Sequence, residues 1–350
     1  MDEKKLKLIS LTVLIYGLPI YIFSVFPFSK KIYPGFESFH SPIFSFLLTG
    51  QPQFSSLGII ADILLLYCVF LLFKKNVVLE NERVWMIWTG LKKVFSNLFL
   101  NKLKQPVPIT KEEKVSLLFY LVKLFWAPLM IIFAINNATD FYNLLKRYSI
   151  WDFNAQSFLN LYFPLYISAI FILDTVIFSC GYLFESPALK NLTKSVEPTV
   201  LGWISALVCY GPFFDTFTRI AGPLPQDFAD FKNVSLNVVF GLITIIFFSI
   251  YVWASTALGF KASNLTNRGI VSKGPYKYVR HPAYISKNLG WWVASIPLIG
   301  IYGWKVIVGL AVWTFVYYVR ALTEERHLLQ DPDYVEYCKK VKYMFIPGII

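Results

Sequence analysis

The chain has 350 residues, of which 56% are apolar, 18% aromatic and only 15% charged. A soluble domain carries about 25% charged residues, so this composition excludes a water-covered globular enzyme, a disordered chain and a disulfide scaffold. A net charge of +12 would suggest nucleic acid in a soluble protein. Beside apolar runs of about 20 residues, long enough to cross a bilayer as helix, it reads instead as loops facing anionic lipid.

In chain order, the first apolar run covers 8–26 and follows Lys4, Lys5 and Lys7. It is too long for the core of a signal peptide and no small-residue cleavage site follows it, so an anchor helix is expected. A second run covers 57–73. The most basic stretch comes next, 74–114, with Lys74, Lys75, Arg83, Lys92, Lys93, Lys102, Lys104, Lys111 and Lys114. Within it, residues 84–100 mix bulky apolar and basic side chains, which suits a helix lying in the headgroup layer. Gln105-Pro-Val-Pro breaks that helix. Further runs cover 115–135, 158–184, 198–213, 236–258, 283–299 and 304–322.

Placing the 74–114 loop in the cytosol brings every basic cluster to the same side, including Lys261, Arg268, Lys273, Lys277 and Arg280, and the tail with Lys339, Lys340 and Lys342. The expected fold is therefore all-α and polytopic, with about eight spans and both ends cytosolic. The chain divides by character into 1–235, a multi-span region with one basic loop, and 236–350, where polar signatures are dense. Cys68, Cys180 and Cys209 lie inside apolar runs and Cys338 stands alone, with no CxxC spacing, so neither a metal nor a disulfide is expected. Asp62, Lys123 and Asp174 fall within runs, where an unpaired charge costs several kcal/mol. Lys123 can snorkel; the two aspartates are expected to pair across helices or to polarise a cavity.

The sharpest signal is the stretch from Asn267 to Tyr284, which holds Gly274-Pro-Tyr-Lys-Tyr-Val-Arg-His-Pro-Ala-Tyr284 directly before a run. Pro282 suits a first helical turn. The free amides of that helix start, beside Arg280 and His281, would suit a carboxylate or phosphate. Tyr284, Lys287 or Asn288, and Trp291 then recur along one helix face. An interfacial aromatic and basic belt would not require this ordered set. At the end of the last run, Arg320, Glu324 and His327 share a face at i, i+4 and i+7, while Glu325 points about 100° away. Two adjacent acids there could hold a cationic ligand, or form an ordinary i,i+4 salt bridge.

Together with Thr323-Glu-Glu325 and the ending Tyr334-x-x-Tyr337…Val341…Ile346-Pro-Gly-Ile349, these residues resemble the isoprenylcysteine carboxyl methyltransferase and phospholipid methyltransferase superfamily. The resemblance covers about the last 100 residues, and the first 230 match no recognised pattern. It implies an integral membrane methyltransferase that uses S-adenosylmethionine and acts on a lipid or lipidated acceptor. The cofactor pocket would be wrapped by the loop, the helix pair and the tail. Carried over by position, cofactor contacts would fall on Arg268, Gly269, Ile270, Val271, Tyr276, His281, Pro282, Ala283, Tyr284 and the pair Glu324 and Glu325, with Glu325 favoured. Arg320 would lie near the acceptor and, with Glu325, serve the reaction. Several family members have Gly after the tyrosine, where this chain has Ile285.

Two other readings remain open at this level. Sterol C=C reductases, which use NADPH, share a similar Arg-His-Pro-x-Tyr stretch, but usually carry Asn in place of Ala283 and Arg-Asp-Glu in place of Leu-Thr-Glu-Glu. A non-catalytic scaffold or lipid-binding protein would bind neither nucleotide. Asn264-Leu-Thr266 is a glycosylation sequon of little weight on the expected cytosolic side.

Overall fold

A computed structural model describes residues 2–25, 40–49, 55–100, 106–147, 152–221 and 231–349. The end of the first run, at Phe26, and Lys102, Lys104 and Gln105 of the basic stretch lie outside the described residues. The chain is mostly helical and forms two compact units, 1–132 and 133–350. Among the described residues, six helices are long and apolar enough to cross a membrane: Glu3–Val25, Ser56–Phe73, Lys111–Arg147, Ala155–Leu183, Val234–Lys261 and Trp304–Leu328. This is a multi-pass integral membrane architecture.

The first unit contains α1 (Glu3–Val25), α2 (Pro42–Thr49), α3 (Ser56–Phe73), α4 (Arg83–Phe95) and the start of α5 (Lys111–Arg147). Asp2 caps α1 by accepting from the Lys4 amide, and Ser55 caps α3 by accepting from Gly58 N at 3.0 Å. Each cap satisfies an amide that the helix itself leaves unpaired. Leu8, Leu11 and Ile15 pack on Leu71, Val77, Leu79, Val84 and Ile87, so α4 is fixed by its apolar face. Asp62 accepts from Ser41 Oγ at 2.5 Å and from the Ile43 amide at 3.0 Å. It therefore serves as an anchor for the first turn of α2, the packing role expected of a buried carboxylate with local donors.

The second unit reaches N-terminal of residue 236. It holds α6 (Ala155–Leu183), α7 (Val200–Leu207), α8 (Phe213–Ala221), α9 (Val234–Leu258), α10 (Pro282–Tyr302), α11 (Trp304–Leu328) and α12 (Pro332–Lys340). The apolar run 198–213, expected to span, breaks after eight helical residues. That is about 12 Å of helix, too short for a hydrocarbon core of about 30 Å. The run 283–299 does form one helix, the 21-residue α10. Its polar residues Ser286, Lys287, Asn288 and Ser295 make it less apolar than the six above.

Ile170, Phe248 and Tyr251 join α6 to α9, with Phe171, Ala283 and Trp291 packed around them. Trp313, Val316 and Tyr317 of α11 pack on Phe214, Phe217, Tyr284 and Trp291. A two-stranded antiparallel ribbon, β1 (Ser195–Val196) and β2 (Thr266–Asn267), departs from the all-helical expectation. Its strands are too short to show a period-2 pattern. Gly181 allows the close approach that positions this ribbon's loop: a Cβ there would collide with the Ala262 carbonyl oxygen.

Candidate active site

The loop between α9 and α10 is held from three directions. Arg268 is 3% exposed, and its guanidinium donates to the carbonyls of Gly181, Phe260 (3.1 Å) and Phe184 (3.3 Å). These bonds staple the loop to the end of α6. Gly269 follows with φ +92°, a conformation open to glycine, while its amide donates to Asn267 Oδ1 at 2.9 Å. Ile270 and Tyr276 pack on Tyr334, Tyr337 and Val341, and Tyr337 donates its hydroxyl to the Tyr276 carbonyl at 2.7 Å. Val271 is half-buried on the same loop.

Glu325 is the polar centre of this region. Its Oε1 accepts from Arg280 Nε at 2.7 Å and from Tyr334 Oη at 2.8 Å, and lies 3.0 Å from His281 Nε2. Arg280 also donates through Nη1 to the carbonyls of Val341 and Lys342. The amides of Arg280 and His281 bond the carbonyls of Tyr343 and Met344. One carboxylate thus ties α11, the loop, α12 and the tail together. Burial disfavours the Arg280 cation, but Glu325 more than offsets it and holds its pKa above the ordinary value. Burial, reinforced by the Glu325 charge, likewise pushes the Tyr334 phenol up.

This arrangement corrects one expectation. Arg280 and His281 do not face an open helix start; their side chains are engaged by Glu325. What α10 does offer is backbone: Pro282 at its first position has no N–H, and among the described residues the Ala283 and Tyr284 amides have no backbone acceptor. Pro282 itself is buried, and Ala283 packs against the Phe248 and Tyr251 cluster.

Glu324 lies on a different side of α11. Its Oε2 accepts the Tyr284 hydroxyl at 2.6 Å. The Tyr284 ring stacks on His281 at 5.3 Å between centroids and 13° between planes, and meets Tyr317 edge-on at 5.5 Å. Arg320 sits over the faces of Tyr284 (5.2 Å) and Tyr317 (5.8 Å). It donates to Asn264 Oδ1 and has no ion-pair partner among the described residues.

Asn264 escaped the sequence analysis except as a sequon. It is 4% exposed, accepts from Arg320, and donates through its side chain to Tyr210 Oη at 3.1 Å and through its backbone amide to Tyr182 Oη at 2.9 Å. A buried asparagine beside an arginine is a positioning device, but nothing in its neighbours in sequence signals this. His327 pairs with Ser195 Oγ at 2.8 Å. Asp174 accepts the Tyr251 hydroxyl at 2.7 Å, and Lys287 lies over the rings of Phe171, Tyr251 and Trp291 at 5.0–5.7 Å.

The start of α12 is fixed to the ribbon by Asp331, which accepts from Lys194 at 2.9 Å and Asn267 Nδ2 at 2.7 Å. Burial opposes its charge, yet these donors hold its pKa below the ordinary carboxylate value of 3.8. A depressed folded-state pKa gives stabilisation that is present above the unfolded value and lost as pH falls through the folded one. Amide-exchange protection of α12 should therefore drop below about pH 4, and Asp331→Asn should flatten that step. Protection that is independent of pH in the unsubstituted chain would contradict the assignment.

Residues 236–330 match the isoprenylcysteine carboxyl methyltransferase (ICMT) family. The matched segment takes in α9, the loop, α10 and α11, and so contains every candidate contact from Arg268 to Glu325. The family is one of membrane methyltransferases, in keeping with the apolar helices around the segment. No curated protein matches the chain. Tyr334, Tyr337 and the tail that closes on Arg280 lie beyond the matched residues, as do Gly181, Tyr182 and Tyr210 before them.

Proposed function

We propose that the chain is an S-adenosylmethionine-dependent integral membrane methyltransferase acting on a lipid or lipidated acceptor. The observation that carries this reading is the pairing of Arg320 and Glu324 around the Tyr284 ring, inside the family-matched segment and near the end of the apolar helix α11. The basic segments support a topology with both termini cytosolic, which puts this constellation at the cytosolic boundary.

The residues fit such a cofactor by chemistry. The Ala283 and Tyr284 amides suit a carboxylate, because a helix start presents donors and a partial positive charge. Glu324, oriented by the Tyr284 hydroxyl, suits an ammonium. The faces of Tyr284, His281 and Tyr276 suit a cation and an aromatic base. When bound, the cofactor supplies a methyl group on a positively charged sulfur. Glu325 acts as a positioning residue: it holds His281 and Arg280, and through Arg280 the tail, around that space. Arg268 acts in the same way on the loop from behind.

Arg320 is the acceptor-side residue. Asn264 fixes its orientation and the two tyrosine rings its plane, so it can clamp an anionic group in one direction. Methyl transfer is an in-line displacement governed mainly by alignment. A carboxylate acceptor is already ionised and leaves no proton to remove, which matches a site whose two acids are both engaged as acceptors.

The test is transfer of a labelled methyl group from the cofactor into the lipid-extractable fraction, using the purified chain in vesicles of total membrane lipid. Label that enters this fraction in proportion to protein supports the proposal. Label that enters only water-soluble material would overturn the lipid acceptor.

A further inference from the structure

The first unit carries an arrangement that lies outside the family-matched segment. Trp85, Trp88, Lys92, Phe95 and Phe99 recur at i, i+3, i+7, i+10 and i+14 along α4 and the π-turn that extends it, Ser96–Leu100. At 100° per residue these positions share one face. Towards its end the face opens into a groove lined by Trp88, Leu91, Val94, Phe95, Leu98 and Phe99, with Lys92 at its edge. Phe95, Leu98 and Phe99 are 57–64% exposed.

Cations overhang the tryptophan end. Lys92 Nζ lies 4.7 Å from the Trp88 ring centroid, and Lys7 Nζ from α1 lies 4.8 Å from that of Trp85. Both lysines are exposed, and among the described residues neither has an acidic partner. The adjacent Lys93 is used differently: it is bound to Glu113 at 2.8 Å, and Lys74 is bound to Glu82. Two ammonium groups are thus set on aromatic faces, which orients them without neutralising them. An apolar groove runs on from one of them.

We propose that this face of α4 holds one anionic membrane lipid, its phosphate on Lys92 and Lys7 and an acyl chain along Phe95, Leu98 and Phe99. Charge complementarity selects the occupant. A zwitterionic lipid would place its own cation beside the lysines, whereas a helix of a second chain would have to bring acids to a rim otherwise made of rings. A lysine near a membrane surface favours an anionic headgroup about fivefold.

The test uses the full chain in phosphatidylcholine vesicles containing a minority of acyl-brominated phosphatidylglycerol or, separately, acyl-brominated phosphatidylcholine. Bromine quenches nearby indole fluorescence, and subtracting the Trp88→Phe variant isolates the Trp88 signal from the other tryptophans. The expected result is half-quenching of Trp88 at roughly 25-fold less brominated phosphatidylglycerol than brominated phosphatidylcholine, about fivefold for each of the two lysines, with the difference lost in Lys7→Ala/Lys92→Ala. These lysines are exposed, so the double variant should fold, and an unchanged unfolding temperature checks it. Equal quenching by both lipids in the unsubstituted chain would overturn the proposal. A preference that survives the double substitution would do so too. Protection of Trp88 from both lipids, together with cross-linking between copies of the chain through this face, would assign the groove to a second copy instead.

Discussion

Arg320→Ala is expected to reduce methyl transfer by roughly 100-fold or more while leaving cofactor affinity within a few-fold. The size follows from removing one preorganised charged donor from a water-poor site, which typically lowers turnover by about 10²–10³. The split follows from geometry. Arg320 contacts Asn264 and the faces of Tyr284 and Tyr317, whereas Glu324 meets the Tyr284 hydroxyl and the free amides belong to the first turn of α10. Arg320→Lys should recover little, because an ammonium cannot reproduce a planar fork stacked on tyrosine and bonded to an asparagine. Initial rates at saturating cofactor, set beside calorimetric cofactor affinity, separate the two effects. Equal loss of both in Arg320→Ala would mean that the arginine serves the cofactor instead.

Glu325→Gln should release the tail rather than merely weaken it. The substitution keeps the shape but removes the charge that Arg280 and His281 face and that Tyr334 donates to. Taking one partner from a buried, hydrogen-bonded pair costs about 3–5 kcal/mol. Here the Arg280 guanidinium also bridges to the Val341 and Lys342 carbonyls. Faster amide exchange at Tyr343 to Phe345, with cofactor binding weakened at least 10-fold, is the expected outcome. A variant with normal exchange there and normal binding would show that Glu325 does not organise the pocket. Glu324→Gln, by contrast, should leave exchange in the tail unchanged and act on cofactor affinity alone.

Much of this was legible before the structure. Long apolar runs dictate helices, because a bilayer leaves no alternative partner for backbone amides, and among the described residues six of the runs became helices both long and apolar enough to cross. The Gly274–Tyr284 stretch and Thr323-Glu-Glu325 were visible as ordered polar residues where an interhelical loop needs none. The run 198–213 is continuous by hydropathy, but its helix stops at Leu207, and Gly211-Pro212 separate it from the next helix, Phe213–Ala221. The division of labour between the acids also escaped notice. Helical spacing separates Glu324 from Glu325 by about 100°, but which side meets Arg280 and which meets Tyr284 depends on how α11 packs on α10. Asn264, Tyr182 and Tyr210 were invisible for the same reason: their partners lie between 54 and 82 residues away in sequence.

The most direct test of the central claim is calorimetric titration of the detergent-purified chain with S-adenosylmethionine, S-adenosylhomocysteine and NADPH. Saturable binding of the first two, weakened in Glu324→Gln and in Glu325→Gln, is the predicted result. Binding of NADPH alone would contradict the methyltransferase reading and favour a reductase, and silence towards all three would leave a lipid-binding scaffold.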